Sequence, residues 1–510
     1  MREWRLFTLA LAGCLLIGMA CSSALAGQAR DSVTIACAAE PDCFFPYHTS
    51  LRTNMDEVPI LHNVYETPIK FAVDGTHQPL LATSWDVSDG GRTYTLHIRD
   101  DVYFHNGRKM TAEDVAYSIT LGGRLPDGGA QLANFVSATA LDDTTVEIKL
   151  SAPYGPFLNA LAGRYALVVD KELFEKIGVE GYNKAPVGTG PYTFVSRASG
   201  SKIVLKANEK YWNGKPSIDA VNYQIMTDAN TQIISLENND IDVLIQANVG
   251  ALTRVDENRV KWLSTEASSL CNMEFNLNKG PGKDLNFRKA LQAGINKEEI
   301  NIGVYEGHGT VADIQMCPSF SGRPDNGTFK VVSYDPEQAK KHLAESSYNG
   351  EEFTIITVAG TRNETAAQII QGQLIELGVN CTVNAVDAPS FDALRLNEGS
   401  YGANIRAGGV SVLDADGLFY QYHSAYRLQP GLYDAGVCSP EMDELLTRGR
   451  TEPDPEKRKE IYAQVNDLIV DNALGVCLFY EVNACAFNPA LKGIAPRALT
   501  GLYFYNDWNW

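Results

Sequence analysis

This 510-residue chain is rich in side chains that can do chemistry, but none sits at a spacing that catalysis uses. There is no Gly-x-Ser-x-Gly elbow to present a nucleophile, no His-Glu-x-x-His pair and no P-loop. Gly188-Thr189-Gly190 is followed at once by Pro191, which lacks the N–H donor that a phosphate cradle needs. With 62 acidic residues a coincidental pair is expected at any spacing, and catalytic acid pairs are recognised by geometry rather than by sequence. The eight histidines are scattered: His97 alternates with Leu96 and Ile98 in a strand, and His342 lies beside Lys341 on a helix. None of the ten cysteines forms a Cys-x-x-Cys pair, so zinc-ribbon spacing is absent, and no metal or cofactor site is expected. Binding chemistry is the alternative. A charged amino acid or peptide asks for a bidentate cation at its carboxylate and an acid at its amine.

The elements that must position such groups alternate between strand and helix, which predicts an α/β protein. Trp85 and Val87 precede a turn at Asp89-Gly90-Gly91, and Tyr94, Leu96 and Ile98 alternate after it. Asn106-Gly107 makes a further turn. Thr111 stands three residues before Asp114, a capping box that opens a helix through Val115 and Ile119. Ser32–Cys37 and 144–150 read as strands, and Glu57 to Tyr65 and Asn230 to Glu237 as helices. Asp335-Pro336 and Asp454-Pro455 each place an N-cap before a proline at the first helical position. Behind the second, Ile461, Val465, Leu468 and Ile469 form a core stripe.

The leader reads as an export signal (residues 1–26), with Arg2 and Arg5 before an apolar run from Leu6 to Ala20. Ala24-Leu25-Ala26 offers a cleavage site before Gly27, the preferred reading; Cys21 offers a lipid anchor instead. The formal charge of −19 argues against a nucleic-acid partner and against a polybasic membrane surface.

The segment PLLATSWDVSDGGRTYTLHIRDDVYFHNGRKMTAEDVAYSI (Pro79–Ile119) resembles the signature region of the bacterial extracellular solute-binding proteins of family 5, which serve peptide, nickel and related ABC importers. The resemblance continues in family order through APVGTGPYTF (Ala185–Phe194), ANEKYWNGKPSIDAVNYQI (Ala207–Ile225), FNLNKGPGKDLNFRKALQAGINKEEI (Phe275–Ile300), SYDPEQAKKHL (Ser333–Leu343) and QLIELGVNCTV (Gln373–Val383). It implies a periplasmic binding protein type II-like fold: two lobes, an extra subdomain and an interlobe ligand cleft. The implied division is 27–68 with 185–272 and 485–510 as the first lobe, 69–184 as its extra subdomain and 273–484 as the second lobe.

The resemblance also implies a role, a location and a site. The role is that of a monomeric, non-enzymatic receptor in the periplasm or cell envelope. It would close on a peptide or peptide-like small solute and deliver it to the permease of an ABC importer. A nickel-chelate or haem receptor is the alternative on the same fold, and an exported hydrolase has only the acidic, secreted character behind it. The implied ligand contacts are Thr49 and Ser50 in the first loop, Arg164 and Arg362 as carboxylate clamps, and Arg406, Gly408, Gly409, Ser411 and Asp414 in one downstream loop. His48 and His423 fall in loop regions that line the cleft in relatives. Some relatives tie two strands by a disulfide, which here would join Cys37 to Cys271. The chain departs from the family pattern in Arg406–Asp416. Glycines stand where relatives carry a tryptophan, Asp414-Ala415 replaces Asp-Pro, and Ser411 occupies the place of the aspartate that holds a peptide amine in dipeptide binders; with a one- or two-residue gap, Asp414 or Asp416 takes that place instead. A serine cannot neutralise a buried ammonium.

Overall fold

The computed structural model describes residues 30–41, 43–47, 57–72, 76–125, 131–396, 401–409, 412–427, 439–498 and 502–510. The leader with Cys21, and His48, Thr49, Ser50 and Ser411, lie outside the described residues.

Local signals set the ends of the elements. The Asp114 carboxylate accepts from the Thr111 N–H at 3.0 Å, closing the capping box on the Ala112–Arg124 helix. Gly90 and Gly91 take φ of +61° and +88° in the turn before the Thr93–Ile98 strand, a conformation glycine adopts without strain. The Asp335 carboxylate accepts from the N–H groups of Glu337 (3.1 Å) and Gln338 (2.9 Å), capping the Pro336–Glu345 helix. Asp335→Ala is expected to lower stability by about 1 kcal/mol, read as a shifted urea midpoint at unchanged m-value. An unshifted midpoint would mean that the cap contributes nothing.

Seventeen strands are described: β1 (Ser32–Cys37), β2 (Ile69–Phe71), β3 (His77–Pro79), β4 (Ala82–Ser88), β5 (Thr93–Ile98), β6 (Phe135–Asp142), β7 (Thr145–Leu150), β8 (Tyr192–Ala198), β9 (Lys202–Ala207), β10 (Ala220–Ile225), β11 (Val243–Leu244), β12 (Lys261–Phe275), β13 (Thr310–Val311), β14 (Phe353–Val358), β15 (Cys381–Val386), β16 (Ala403–Gly409) and β17 (Gly475–Phe487). An 11-stranded sheet runs β15-β14-β16-β12-β17-β11-β1-β10-β9-β8, with β13 on β17. A separate four-stranded sheet runs β4-β5-β7-β6. β1 lies parallel to β10 and β11, and β14 lies parallel to β15 and β16. The long antiparallel pair β12 and β17, from Lys261↔Phe487 to Glu274↔Gly475, connects the two halves.

Each half has its own core. One contains Val33, Ile35, Tyr65, Leu96, Leu205, Tyr223, Tyr505 and Trp508, and takes in both the four-stranded sheet and Cys485 of β17. The other contains Met273, Phe275, Phe287, Leu291, Ile355, Ile370, Ile405 and Leu478, and also gathers Leu236, Ile241, Leu244, Val249, Leu252 and Val260, while Val243 and Ile245 between them join the first. The Ile461, Val465 and Ile469 stripe is buried in a third cluster with Ile314, Met316 and Leu418, as its helical spacing predicts.

One expectation changes here. Cys37 and Cys271 both stand as thiols. β17 and β11 lie between their strands, so at about 4.8 Å per step they are three strands apart, well beyond disulfide reach. Instead, the Cys271 thiol donates to Asn363 Oδ1 at 3.3 Å. The Gly188–Gly190 turn is packing, not a cradle. A Cβ on Gly188 would lie 2.0 Å from the Val64 carbonyl oxygen, and one on Gly190 2.5 Å from that of Asn63. His105 stitches the turn down: its Nδ1 accepts from the Gly188 N–H (3.3 Å), and its Nε2–H donates to the Gly190 carbonyl (2.9 Å).

Candidate functional site

The register of β12 against β16 builds the site. Asn272 faces Arg406, Leu270 faces Gly408 and Glu274 faces Asn404. Strand alternation then puts Leu270, Asn272, Glu274, Asn404, Arg406 and Gly408 on one face, and sends Cys271, Met273, Phe275 and Ile405 into the second core on the other.

Glu274 is the hub of that polar face. It accepts from Arg406 Nη2 (3.1 Å) and Nε (3.4 Å), Gln421 Nε2 (2.9 Å), Asn272 Nδ2 (3.3 Å) and Asn404 Nδ2 (3.3 Å). Burial opposes its charge, but the Arg406 guanidinium and the Asn404 amide outweigh it and hold the carboxyl at about 2. Beside the network lies a cavity of about 210 Å³, walled by Leu270, Asn272, Gln315, Arg406, Leu418 and Tyr420 among others. This is below the roughly 300–1,000 Å³ of a drug-sized ligand pocket and suits one end of a ligand.

Two donors are open at this cavity. Arg406 spends Nε and Nη2 on Glu274, while its Nη1 lies beside Gly408, 3.4 Å from where a Cβ on that residue would be. The glycine therefore leaves room in front of the guanidinium. Gln315, 5% exposed, accepts from the Tyr422 hydroxyl through Oε1, and its Nε2 has no hydrogen-bond partner among the described residues. A buried donor left unsatisfied is costly and needs an explanation.

The other residues singled out from sequence lie elsewhere. Arg362 pairs with Glu481 at 2.8 Å and lies over the Tyr305 ring; its side chain is 45% exposed. Arg164 Nε donates to the Pro46 carbonyl at 2.9 Å. Asp414 is buried against Arg458, whose Nη1 donates to its Oδ2 at 2.9 Å while Nη2 donates to Oδ1. Asp416 is gripped by Arg450 through two bonds of 2.9 and 2.7 Å. His423 Nε2 meets Thr447 Oγ1 at 3.2 Å. Among the described residues no three His, Cys, Asp or Glu side chains are grouped to hold a metal ion. Of the sequence candidates, then, Arg406 and Gly408 meet at the cavity, while Arg164, Arg362 and Asp414 do not line it. Asn272, Glu274 and Gln315 were missed. The first two carried a faint signal, polar residues alternating with Cys271, Met273 and Phe275; Gln315 carried none.

The loop that holds Asp414 also touches the segment after β7. Asn159 Nδ2 donates to the Leu413 carbonyl at 2.6 Å, its Oδ1 faces His77 Nε2 at 2.7 Å, and the Gly155 N–H donates to the Arg450 carbonyl at 2.8 Å.

Two cores joined by long crossing strands, with a polar cavity against one of those strands, are the architecture of a two-lobed binding protein. The model of the bacterial extracellular solute-binding proteins, family 5 Middle, matches residues 76–428, and the chain belongs to that family. It is 26% identical to the dipeptide-binding protein of Escherichia coli strain K12, across 94% of this chain and 95% of that protein. It is 28% identical to the nickel-binding periplasmic protein of the same organism, across 84% of this chain and 86% of that protein. The crystal structure of the ABC transporter substrate-binding protein CtaP from Listeria monocytogenes superposes with a TM-score of 0.84, covering 94% of this chain and 99% of that one at 24% identity; this likeness shows the fold. Family 5 proteins are transport receptors of ABC importers, not enzymes. No helix among the described residues is long and apolar enough to cross a membrane.

Proposed function

We propose that the chain is an exported receptor that captures peptides or peptide-like small solutes and hands them to the permease of an ABC importer. The family membership carries this reading, and relatives that are peptide-binding by name match nearly the full length of the chain. The two separate cores support division into two lobes, with 27–68, 185–272 and 485–510 as the first, 69–184 as its subdomain and 273–484 as the second. The 236–260 stretch divides its apolar side chains between the two cores and so lies near the joint. Lobe closure is the motion that such a division allows. The Asn159–Leu413 and Gly155–Arg450 bonds tie the subdomain to the second lobe, as a closed form requires. The leader is removed after Ala26 and the mature chain works as a monomer in the periplasm or cell envelope, without catalytic activity.

Native mass spectrometry of freshly purified protein tests the reading, together with melting temperatures against a panel of di- to pentapeptides, nickel–histidine and haem. A ligand that binds only the native state must raise the melting temperature. A co-purified peptide or a shift with peptides is the expected result. A shift with nickel–histidine or haem alone would transfer the assignment to a chelate receptor, and no co-purified ligand with no shift at all would remove the receptor reading.

A further inference from the structure

Resting on the receptor reading and its two-lobe division, we infer that the extra subdomain (69–184) is a latch. It seats on the second lobe (273–484) through contacts made wholly by the chain, and so populates the closed form before a ligand arrives. Gly155 is the seat. Its N–H donates to the Arg450 carbonyl at 2.8 Å, and a Cβ there would lie 2.8 Å from Arg458 Nε and 3.0 Å from the Glu452 carbonyl oxygen. Neither neighbour is free to give way. The Glu452 oxygen is backbone, and Arg458 is held by two bonds to Asp414 and one to the Gly449 carbonyl. Four residues on, Asn159 Nδ2 donates to the Leu413 carbonyl at 2.6 Å, while His77 Nε2 meets its Oδ1 at 2.7 Å. Among the described residues, Leu413 is the one buried side chain of 273–484 that joins the first core, and Val412 packs against the same core.

These contacts pair donors with acceptors and bury an apolar side chain, so closure gains free energy from the protein itself. They also reach the cavity. The Arg450 guanidinium, held by Asp416, lies 5.6 Å over the Tyr154 ring of the subdomain and 4.8 Å over the Tyr420 ring that walls the cavity. A ligand resting on Tyr420 and the latch therefore bear on the same guanidinium. The ligand selects a form that the latch already populates, and apparent affinity scales with that population. Gly155 and Arg450 are positioning residues, since neither lines the cavity.

Gly155→Ala is a wedge that tests this. The φ of Gly155 lies outside the left-handed region, so alanine suits the backbone, and the three atoms nearest to the added methyl all belong to the second lobe. Small-angle X-ray scattering and hydrogen exchange are read on the full mature protein, freed of bound ligand as checked by native mass spectrometry. The parent is expected to scatter as the latched form, with the amides of 154–159 protected. The wedge is expected to raise the radius of gyration and to lose that protection at unchanged far-ultraviolet circular dichroism. It should also weaken, roughly 10-fold, whichever panel ligand binds the parent. Leu413→Ala releases the latch from the other side, and carries the test if the wedge variant fails to fold. A ligand-free parent that scatters as an open form overturns the latch whatever the variants do. So do variants whose scattering and panel affinity equal the parent's, because a merely local packing defect leaves both unmoved. A latched parent that binds nothing in the panel removes the receptor reading and leaves the latch standing.

Discussion

Replacing Arg458 by methionine is expected to cost about 3–5 kcal/mol of stability, the range for breaking a buried ion pair from one side. The side chains of Arg458 and Asp414 are only 3% and 2% exposed, and the guanidinium also donates to the Gly449 carbonyl at 2.9 Å. Methionine fills much of the volume but strands Asp414 as a buried carboxylate without a counter-ion. The double variant Arg458→Met, Asp414→Asn separates charge from packing. An asparagine still accepts from the Asp416 N–H through its oxygen and carries no charge to strand. It should therefore recover most of the loss, since neutral replacements of buried pairs are often tolerated. Chemical denaturation midpoints measure both. A single variant within about 1 kcal/mol of the parent would show that the pair is not structural, and would return Asp414 to the ligand-binding candidates.

The second large effect is the stability that two neutral histidines withdraw in mild acid. His62 is buried and His105 half-buried, both as neutral rings, and desolvation lowers both from the ordinary 6.5 to about 4. For His62 the nearby Arg164 adds to the depression; for His105 the Gly190 carbonyl partly opposes it. Above pH 6.5 both rings are neutral whether the chain is folded or not, and stability is full. As the pH falls from 6.5 to about 4 the unfolded chain takes up two protons that the native rings refuse, and this contribution lowers stability; Glu66 and Asp416 act against it, because burial raises them to about 7 and about 6 and the native protein takes up their protons before the unfolded chain does. Below about 4 the native rings protonate as well and this loss levels off. The depression corresponds to about 3 kcal/mol per ring. Glu274, held at about 2, adds a further loss only below its unfolded value of about 4.5. Urea unfolding of the parent and of His105→Gln between roughly pH 7.5 and pH 4.5 isolates the ring, since the opposing carboxyls are common to both: the variant should gain about 3 kcal/mol relative to the parent as the pH falls. An unaltered slope in that variant would mean that His105 does not stay neutral.

What the chain shows by inspection is local. Thr111 with Asp114, Asp335-Pro336 and Asp454-Pro455 each act within four residues, so their caps could be read before any fold was known. The Ser32–Cys37 strand and the Ile461 stripe follow from period alone. The family too was legible, because its motifs recur in order. The site was not. Asp414 looks available in the sequence because its partner Arg458 lies 44 residues away. Glu274 and Arg406 are 132 residues apart and meet only through the β12–β16 register. Gln315 is informative only because no partner reaches its amide, an absence that exists in three dimensions alone.

The route of the chain through the first core sets an order on folding. Trp510 Nε1 donates to the Ser32 carbonyl at 3.1 Å, and Arg30 lies 4.9 Å over the same ring. Asn63 bridges to the Tyr503 carbonyl at 2.7 Å and to the Tyr505 N–H at 2.9 Å. The half that is made earlier is therefore completed by a segment made more than 400 residues later. The other half, apart from the 236–260 stretch and Ala36, draws its core from one continuous span and can collapse while the first still waits for its final strand and aromatic residues. Closing a loop of more than 400 residues is slow as well as late. A polypeptide threaded across a membrane before it folds loses nothing by that delay, whereas one that had to fold during synthesis would expose an unfinished core for most of its translation.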